Sequence, residues 1–227
     1  MWIMPTRQRP HNLERFIKAY KKTHATDRIY VRLDEDDPSL DQYEALLIDR
    51  RRFLIRIGLR TRMPGALNEA FREFPFEACY GIMGDDIVPR TDFWDWELFK
   101  AAGLWSIAYG RDGLNDRAHA AHPLMGGHLA RAWGRLAIAG LTHLYNDTVW
   151  MEIGKRLDCL NYCPHVYTEH MHFSNGKAPM DKIYNRMLNG ENYAASDGRV
   201  FEIWKNSPGT QSELNQIKRL RNADCGI

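Results

Sequence analysis

Strand and helix patterns alternate without interruption over residues 2–83, and this order constrains the fold more than any single motif does. "WIM" (2–4) reads as a short strand that runs into the loop "PTRQRP". Leu13, Phe16, Ile17 and Tyr20 then recur at helical spacing, with Asn12 available as cap. "IYVRL" (29–33) alternates as a strand and ends in "DEDDP". Ser39 and Gln42 form a capping-box pattern for a helix that buries Tyr43, Leu46 and Leu47. "FLIRI" (53–57) is strand-like, "PGALNEAFREF" returns to helix through Leu67, Ala70, Phe71 and Phe74, and "ACYGIM" (78–83) is a strand that delivers Asp85 and Asp86.

Such alternation predicts an α/β fold, a Rossmann-like and mostly parallel sheet with helices on both faces. Ligands of such sheets bind beyond the carboxyl ends of the strands. The loops at those ends are "PTRQRP", "DEDDP" and "GDDIVP". Arg and Asp therefore converge on one crevice, a composition suited to a polyphosphate with a divalent cation. Mg²⁺ and Mn²⁺ prefer oxygen ligands, and one or two carboxylates plus substrate phosphates commonly hold them. Asp85 and Asp86 answer that description; two adjacent acids also make an ordinary turn.

Size and charge limit the remaining choices. The 227 residues, 44% hydrophobic, suit one compact domain, or a domain over 1–188 with a C-terminal extension over 189–227. No run of about 18 apolar residues is available to span a bilayer, and "MWIMPTRQRP" turns basic and proline-bearing too early for a secretory signal. A soluble, cytoplasmic protein with no membrane partner is expected. Cys79, Cys159, Cys163 and Cys225 are too scattered for a disulfide framework. The net charge of +2 is mild, but "RRRFLIRIGLRTR" is a basic concentration whose arginines are Arg50, Arg51, Arg52, Arg56, Arg60 and Arg62.

Taken in order, "MPTRQRPHNLERFIKAY", "VRLDEDDPS", "PGALNEAF" and "GIMGDDIVP" resemble the donor half of nucleotide-sugar glycosyltransferases of the GT-A fold, specifically the family 2-like group. The resemblance covers roughly residues 1–175 and implies a donor half of about 1–103 and an acceptor half of about 104–188. It implies a hexosyltransferase that uses Mn²⁺ or Mg²⁺ and inverts the anomeric carbon. It assigns the nucleoside to Thr6, Arg7 and Asp34, with Pro5, Arg9 and Asn68 also on the donor side. It puts the metal-binding acid motif on Gly84, Asp85 and Asp86. The family's fuller motif carries an acid where this chain has Gly84, which favours Asp86 as metal ligand and puts Asp85 nearer the donor sugar or ribose.

The same resemblance places the catalytic base at Asp147 in "YNDTVWMEIGKRL", removing the proton of the acceptor hydroxyl. Asp147 also reads as an N-cap for a helix buried through Trp150, Ile153 and Leu157. In "HVYTEHMHFSNGK", His170 and His172 share a strand face and offer a further metal ligand, with His172 favoured; both also read as core or surface histidines. Lys177 follows within reach of phosphate. Arg111, in the loop "GRDGLND", and Gly126 with Gly127 are expected to border the acceptor, although the glycine pair also reads as a strand-to-helix turn. A structural zinc site from Cys159, Cys163, His165 and His170 is a rival metal reading.

The expected donor is a UDP-sugar, UDP-glucose first. For the acceptor, the arginine cluster and small size resemble phage-encoded transferases that decorate DNA, so duplex DNA with hydroxymethylated pyrimidines is one expectation, in host cytoplasm. Protein or glycan acceptors, and a nucleotide-sugar-binding pseudoenzyme, are the alternatives. A nucleotidyltransferase would share sheet and metal but needs a glycine-rich first loop, which "PTRQRP" lacks. Beyond Asn189, "RVFEIWKNSPG" reads as a strand or helix turn, and "TQSELNQIKRLRN" as a polar helix capped by Thr210 or Ser212.

Overall fold

The computed structural model describes residues 1–46, 49–189 and 193–226. Its centre is one eight-stranded sheet formed by β1 (Trp2–Thr6), β2 (Ile29–Asp34), β3 (Phe53–Gly58), β4 (Cys79–Ile82), β5 (Ile87–Pro89), β6 (Ile107–Arg111), β7 (Leu124–Gly126) and β8 (Leu160–His170). The strand order is β3-β2-β1-β4-β7-β6-β8-β5. Strands β3, β2, β1 and β4 are mutually parallel, as the alternation predicts, and β6 pairs β8 in parallel. The antiparallel β7 separates these two blocks, and β5 pairs antiparallel with the end of β8. This mixed, mostly parallel sheet wrapped by helices is the GT-A, Rossmann-like architecture.

Period-two alternation along the strands builds a core on each face. Ile3, Tyr30, Tyr80 and Ile82 face α3 (Arg62–Glu73), α5 (Gly127–Trp133) and α6 (Asn146–Arg156). Trp2, Met4, Ile29, Val31 and Leu33 face α1 (Pro10–Lys22), α2 (Leu40–Leu46) and α4 (Trp94–Ala102). Trp2, Trp94 and Trp150 are each fully buried, worth about 1.5–3 kcal/mol apiece in apolar surface withdrawn from water. Trp150 keeps its polar edge satisfied by donating Nε1–H to the Leu136 carbonyl at 2.7 Å.

Several sequence expectations shift by a few residues. Helix α1 starts at Pro10, with Arg9 as its cap residue, so Asn12 lies inside the first turn and uses its amide elsewhere. Tyr43 is buried as expected, while Leu47 lies outside the described residues. The tail forms α7 (Lys182–Asn189), α8 (Tyr193–Asn206) and α9 (Pro208–Cys225). Ser207, and not Thr210 or Ser212, caps α9, accepting from the Gly209 N–H. Phe201, Leu214 and Ile217 join the same core as α5 and α6, so the tail is packed into the sheet's helical layer. No helix among the described residues is long and apolar enough to cross a membrane.

Candidate active site

The carboxyl ends of β1, β2, β3, β4 and β8 open into one cleft of about 310 Å³. Pro5 and Thr6 come from the end of β1, Arg7 and Arg9 from the loop after it, Asp34 from β2, Arg60 from the loop after β3, Arg62 from the start of α3, Gly84, Asp85 and Asp86 from the loop after β4, and His170 from β8. His143 and Leu144 form a wall just before α6, and Tyr184 of α7 closes the opposite side. Three residues in or beside these walls, Gln8, Arg62 and Tyr145, hold positive φ without being glycine. Strained backbone of this kind concentrates where surrounding structure fixes a functional geometry.

Asp85 is consumed by the first loop. Its Oδ2 accepts from Thr6 Oγ1 at 2.6 Å, and its Oδ1 accepts from Asn12 Nδ2 at 3.2 Å and Arg9 Nη1 at 3.3 Å. Burial pushes its carboxyl above the usual range, against the pull of Arg9. It therefore serves as the anchor of "PTRQRP" rather than as a free ligand for ribose or sugar.

Asp86 has a different environment. Its Oδ2 accepts from the Tyr184 hydroxyl at 2.6 Å and lies 3.4 Å from His170 Nε2. Burial pushes this carboxyl up, but His170 and the Tyr184 hydroxyl more than offset it and hold it well below the usual carboxylate range. A Cβ at Gly84 would lie 2.5 Å from Asp86 Oδ1. Any side chain at this position would crowd the Asp86 carboxylate where it stands.

His170 lies between two acids, with Nδ1 3.5 Å from Asp112 Oδ2. Burial lowers its pKa, but Asp112 and Asp86 reverse this and push it up to about 9. Its ring packs 5.1 Å from His172 on one side and 5.1 Å from His122 on the other. His172 also lines the cleft, with its Nδ1 engaged by Ser174 Oγ at 2.7 Å, while His170 is the histidine in contact with Asp86. His122 is buried with neither ring nitrogen hydrogen-bonded, and burial beside His170 lowers it to about 4.

This donor set fits a hard divalent ion. Asp86 supplies an ionised oxygen ligand at the cleft, with the His170 imidazole beside it. Among the described residues no three His, Cys, Asp or Glu side chains are grouped to hold a metal by themselves. An ion at Asp86 would take its remaining ligands from water and substrate phosphates, the usual habit of Mg²⁺ and Mn²⁺ on one or two carboxylates.

At the end of β2, Arg7 bonds Asp34 Oδ2 at 3.0 Å and Asp36, while Arg60 lies 3.7 Å from Asp34. Arg32, which the sequence did not single out, lies beneath them, bonded to Glu69 and to the Leu33, Gly58 and Leu59 carbonyls. His143 is held neutral by burial, which lowers it to about 4.

Other expected site residues lie elsewhere. Asn68 spends its whole amide on the chain that follows α5, accepting from the Leu136 and Ala137 N–H groups and donating to the Ala137 carbonyl. It is a brace between α3 and that segment rather than a donor contact. Gly126 and Gly127 sit beside Cys79 and Ala78, at the start of β4 and so away from the cleft. A Cβ at Gly126 would meet Leu104 backbone at 2.3 Å and one at Gly127 the Glu77 carbonyl at 2.1 Å, so it is protein backbone that approaches them, not a sugar. Lys177 donates to Glu169 Oε1 at 2.7 Å, and Arg111 stacks over the Tyr167 ring, 4.4 Å from its centre.

The zinc reading is overturned, because Cys159 and Cys163 are buried in the cores on opposite faces of the sheet and His165 is exposed beside Glu97. The six arginines do not form one rim: Arg56 pairs with Glu73, Arg52 bonds the Thr26 carbonyl, and Arg60 and Arg62 turn into the cleft.

Asp147 is in the first turn of α6, whose cap residue is Tyr145, so it is not the N-cap. Its Oδ2 lies 2.9 Å from His119 Nε2, and its Oδ1 accepts from the Thr148 N–H at 2.8 Å. His119 and His122 were missed from sequence, as were Asp112, Asp181, Tyr184 and Asp197. Asp112 had a visible signal, an Asp-Gly turn at a strand end; its Oδ1 accepts the N–H groups of Leu114, Asn115 and Asp116. Asp181 accepts twice from Arg9, and Asp197 accepts from the N–H groups of Thr142, His143 and Leu144.

No protein-family model and no curated protein sequence matches the chain. Solved structures do resemble it in fold. A mannosyltransferase from Pyrobaculum calidifontis, solved with GDP-Man and Mn²⁺, superposes with a TM-score of 0.60 at 10% identity, covering 95% of this chain and 84% of that one. Glucosyl-3-phosphoglycerate synthase from Mycobacterium tuberculosis, solved with Mn²⁺, UDP and glucosyl-3-phosphoglycerate, gives 0.54 at 12% identity, covering 86% and 78%. 4-Diphosphocytidyl-2C-methyl-D-erythritol synthase from Anaerococcus prevotii gives 0.52 at 9% identity, covering 88% and 95%.

Proposed function

We propose that the protein is a metal-dependent glycosyltransferase that moves a hexose from a nucleoside diphosphate to a hydroxyl group. The observation that carries this reading is Asp86: an ionised carboxylate at the end of β4, beside His170, at the floor of a cleft walled by Arg7, Arg9, Arg60 and Arg62. Two neighbours in fold were solved with Mn²⁺ and a nucleotide or nucleotide sugar, which supports the same chemistry. The third is named as a diphosphocytidyl-transfer synthase, so fold alone does not separate the two reactions. The first loop, "PTRQRP", has no glycine to wrap a triphosphate, which supports sugar transfer over nucleotidyl transfer.

In this reading Thr6, Arg7 and Asp34 border the nucleoside. Asp86 would hold Mn²⁺ or Mg²⁺, with His170 able to join only on giving up the proton that Asp86 and Asp112 stabilise on it, and the ion would neutralise charge on the departing diphosphate. The arginines of the wall orient the donor, with Tyr184 and Leu144 supplying apolar surface to the same cleft. The base function lies at Asp147 and the imidazole paired with it, opposite the leaving group in an inverting transfer.

UDP-glucose is the first donor to try and GDP-mannose the second. The test is release of nucleoside diphosphate from each, with and without Mn²⁺, in wild type and Asp86→Ala. Metal-dependent release lost in the variant supports the reading; release of pyrophosphate from a nucleoside triphosphate instead would make the protein a nucleotidyltransferase, and donor binding without release would make it a pseudoenzyme.

A nucleic-acid acceptor is the second reading, and one observation favours it. His11, Arg15, Lys18 and Lys22 line one face of α1 and, with Arg90, border a groove of about 410 Å³ that also carries Glu14 and Asp92, with Lys18 paired to Glu14 and Arg90 to Glu169 and the basic residues in excess. Such a face suits a phosphodiester backbone. Glucose transfer to duplex DNA carrying hydroxymethylated pyrimidines, falling steeply with added salt, is the expected result; transfer to glycans or proteins alone would exclude it.

A further inference from the structure

We infer that His119 is the group that takes the acceptor's proton and that Asp147 is the residue that orients it. The inference rests on the transferase reading and divides its base function between two side chains. Both carboxylate oxygens of Asp147 are already engaged: Oδ1 accepts the Thr148 N–H at 2.8 Å, and Oδ2 faces His119 Nε2 at 2.9 Å. An ionised carboxylate can only accept, so the contact places the imidazole proton on Nε2 and leaves the lone pair on Nδ1. No side chain or backbone group among the described residues hydrogen-bonds that Nδ1. This is the arrangement by which a carboxylate fixes the tautomer and direction of an imidazole base.

Position agrees with the role. Asp147 sits in the first turn of α6, three residues beyond the cleft wall at Leu144; neither it nor His119 lines the cleft itself, and the His119 side chain is 31% exposed, open to an incoming hydroxyl. Asp147 is close enough to act electrostatically on His122, whose ring packs against His170 beside Asp86. The charged groups facing His119 are Asp147 and Lys155 from α6 and Asp112 from the loop after β6. The hydrogen bond to Asp147 raises its pKa, burial lowers it, Asp112 adds to the rise and Lys155 opposes it, and the net is above the ordinary 6.5.

In the transfer step the acceptor O–H bond breaks and its proton goes to His119 Nδ1. The oxygen's electron pair forms the new bond to the anomeric carbon. The bond from that carbon to the diphosphate oxygen breaks, and its electron pair leaves on the diphosphate.

The experiment is a pair of pH series on the full chain, over about two pH units either side of neutrality, for wild type, His119→Gln and Asp147→Asn. One series follows hydrolysis of UDP-glucose and of GDP-mannose with Mn²⁺, water serving as acceptor; the other follows the histidine ring resonances by NMR without donor. Neutral His119 is the active form, so wild-type kcat should fall as pH drops through a pKa above 6.5. His119→Gln should lose that limb and about 100-fold or more of kcat, the usual contribution of a general base. Asp147→Asn should move both the limb and the His119 resonance to lower pH.

A His119 resonance that titrates identically in Asp147→Asn overturns the pairing, whatever the activity. An unchanged limb and kcat in His119→Gln overturns the proton transfer while leaving the transferase reading intact. Failure of wild type to bind or hydrolyse either donor overturns the transferase reading, and this inference with it.

Discussion

The Tyr184 hydroxyl donates to Asp86 Oδ2 at 2.6 Å, joining residues 98 positions apart in the chain. Arg9 secures the same contact by lying 4.2 Å over the Tyr184 ring while making two hydrogen bonds to Asp181 at the start of α7. Helix α7 is thereby tied to both acids of the β4 loop, through Tyr184 to Asp86 and through Arg9 to Asp85.

The Tyr184 hydroxyl draws on the charge of the same carboxylate that would hold a divalent ion. Tyr184→Phe should therefore destabilise the ligand-free protein by about 1–3 kcal/mol, the range for a hydrogen bond to a charged group, and strengthen Mn²⁺ binding. Denaturant unfolding and Mn²⁺ titration by calorimetry check the two halves. Weaker Mn²⁺ binding in the variant would mean that the hydroxyl assists the metal rather than competes with it.

Gly84→Ala should leave the fold intact but displace the Asp86 carboxylate, because the added Cβ falls 2.5 Å from Oδ1. The expected outcome is a melting temperature within a few degrees of wild type and about a tenfold or greater loss of Mn²⁺-dependent nucleotide affinity. Undiminished affinity would show that Asp86 is free to turn away without consequence.

The order of elements over residues 2–83 was legible because each strand and helix carries its own periodicity, whereas "IVP", read as part of a loop, forms the three-residue strand β5 against the end of β8; the crevice followed from the rule that parallel sheets bind ligands at their carboxyl ends. Thr6, Arg7, Arg9, Asp34, Asp85, Asp86 and His170 do line it. What sequence does not carry is partnership across distance. Asp85 and Asp86 are adjacent, yet one is spent on Thr6, Asn12 and Arg9 and the other on Tyr184 and His170. Tyr184 and Asp181 follow a polar loop and carry no motif, so nothing local marks them. Gly126 and Gly127 were misplaced because a glycine pair signals close approach without saying by what; here it is the backbone of Leu104 and Glu77.

Asn68 separates structure from binding. Asn68→Ala would strand the Leu136 and Ala137 N–H groups that its Oδ1 accepts. A loss of about 2–4 kcal/mol in unfolding free energy is expected, with nucleotide affinity of the folded fraction unchanged. Reduced affinity at full stability would restore it as a donor contact.

Asp197 does both. It is fully buried and accepts from three consecutive N–H groups, Thr142, His143 and Leu144, two of which belong to cleft-wall residues. Asp197→Asn replaces one acceptor oxygen by a donor facing N–H groups, so stability should fall by about 2–4 kcal/mol and nucleotide affinity should fall with it. Hydrogen exchange at residues 142–144 would locate the change; protection equal to wild type would contradict it.

The account's central claim is that Asp86 brings a divalent ion and a nucleotide sugar together at the end of β4. The direct measurement is a thermal-shift panel of UDP, UDP-glucose and GDP-mannose, each with and without Mn²⁺, on wild type and Asp86→Ala, since a ligand of the native state raises its apparent stability. The account predicts an upward shift for at least one nucleotide that requires Mn²⁺ and vanishes in Asp86→Ala. No shift with any of them, or one that is indifferent to Mn²⁺ and survives the substitution, would contradict it.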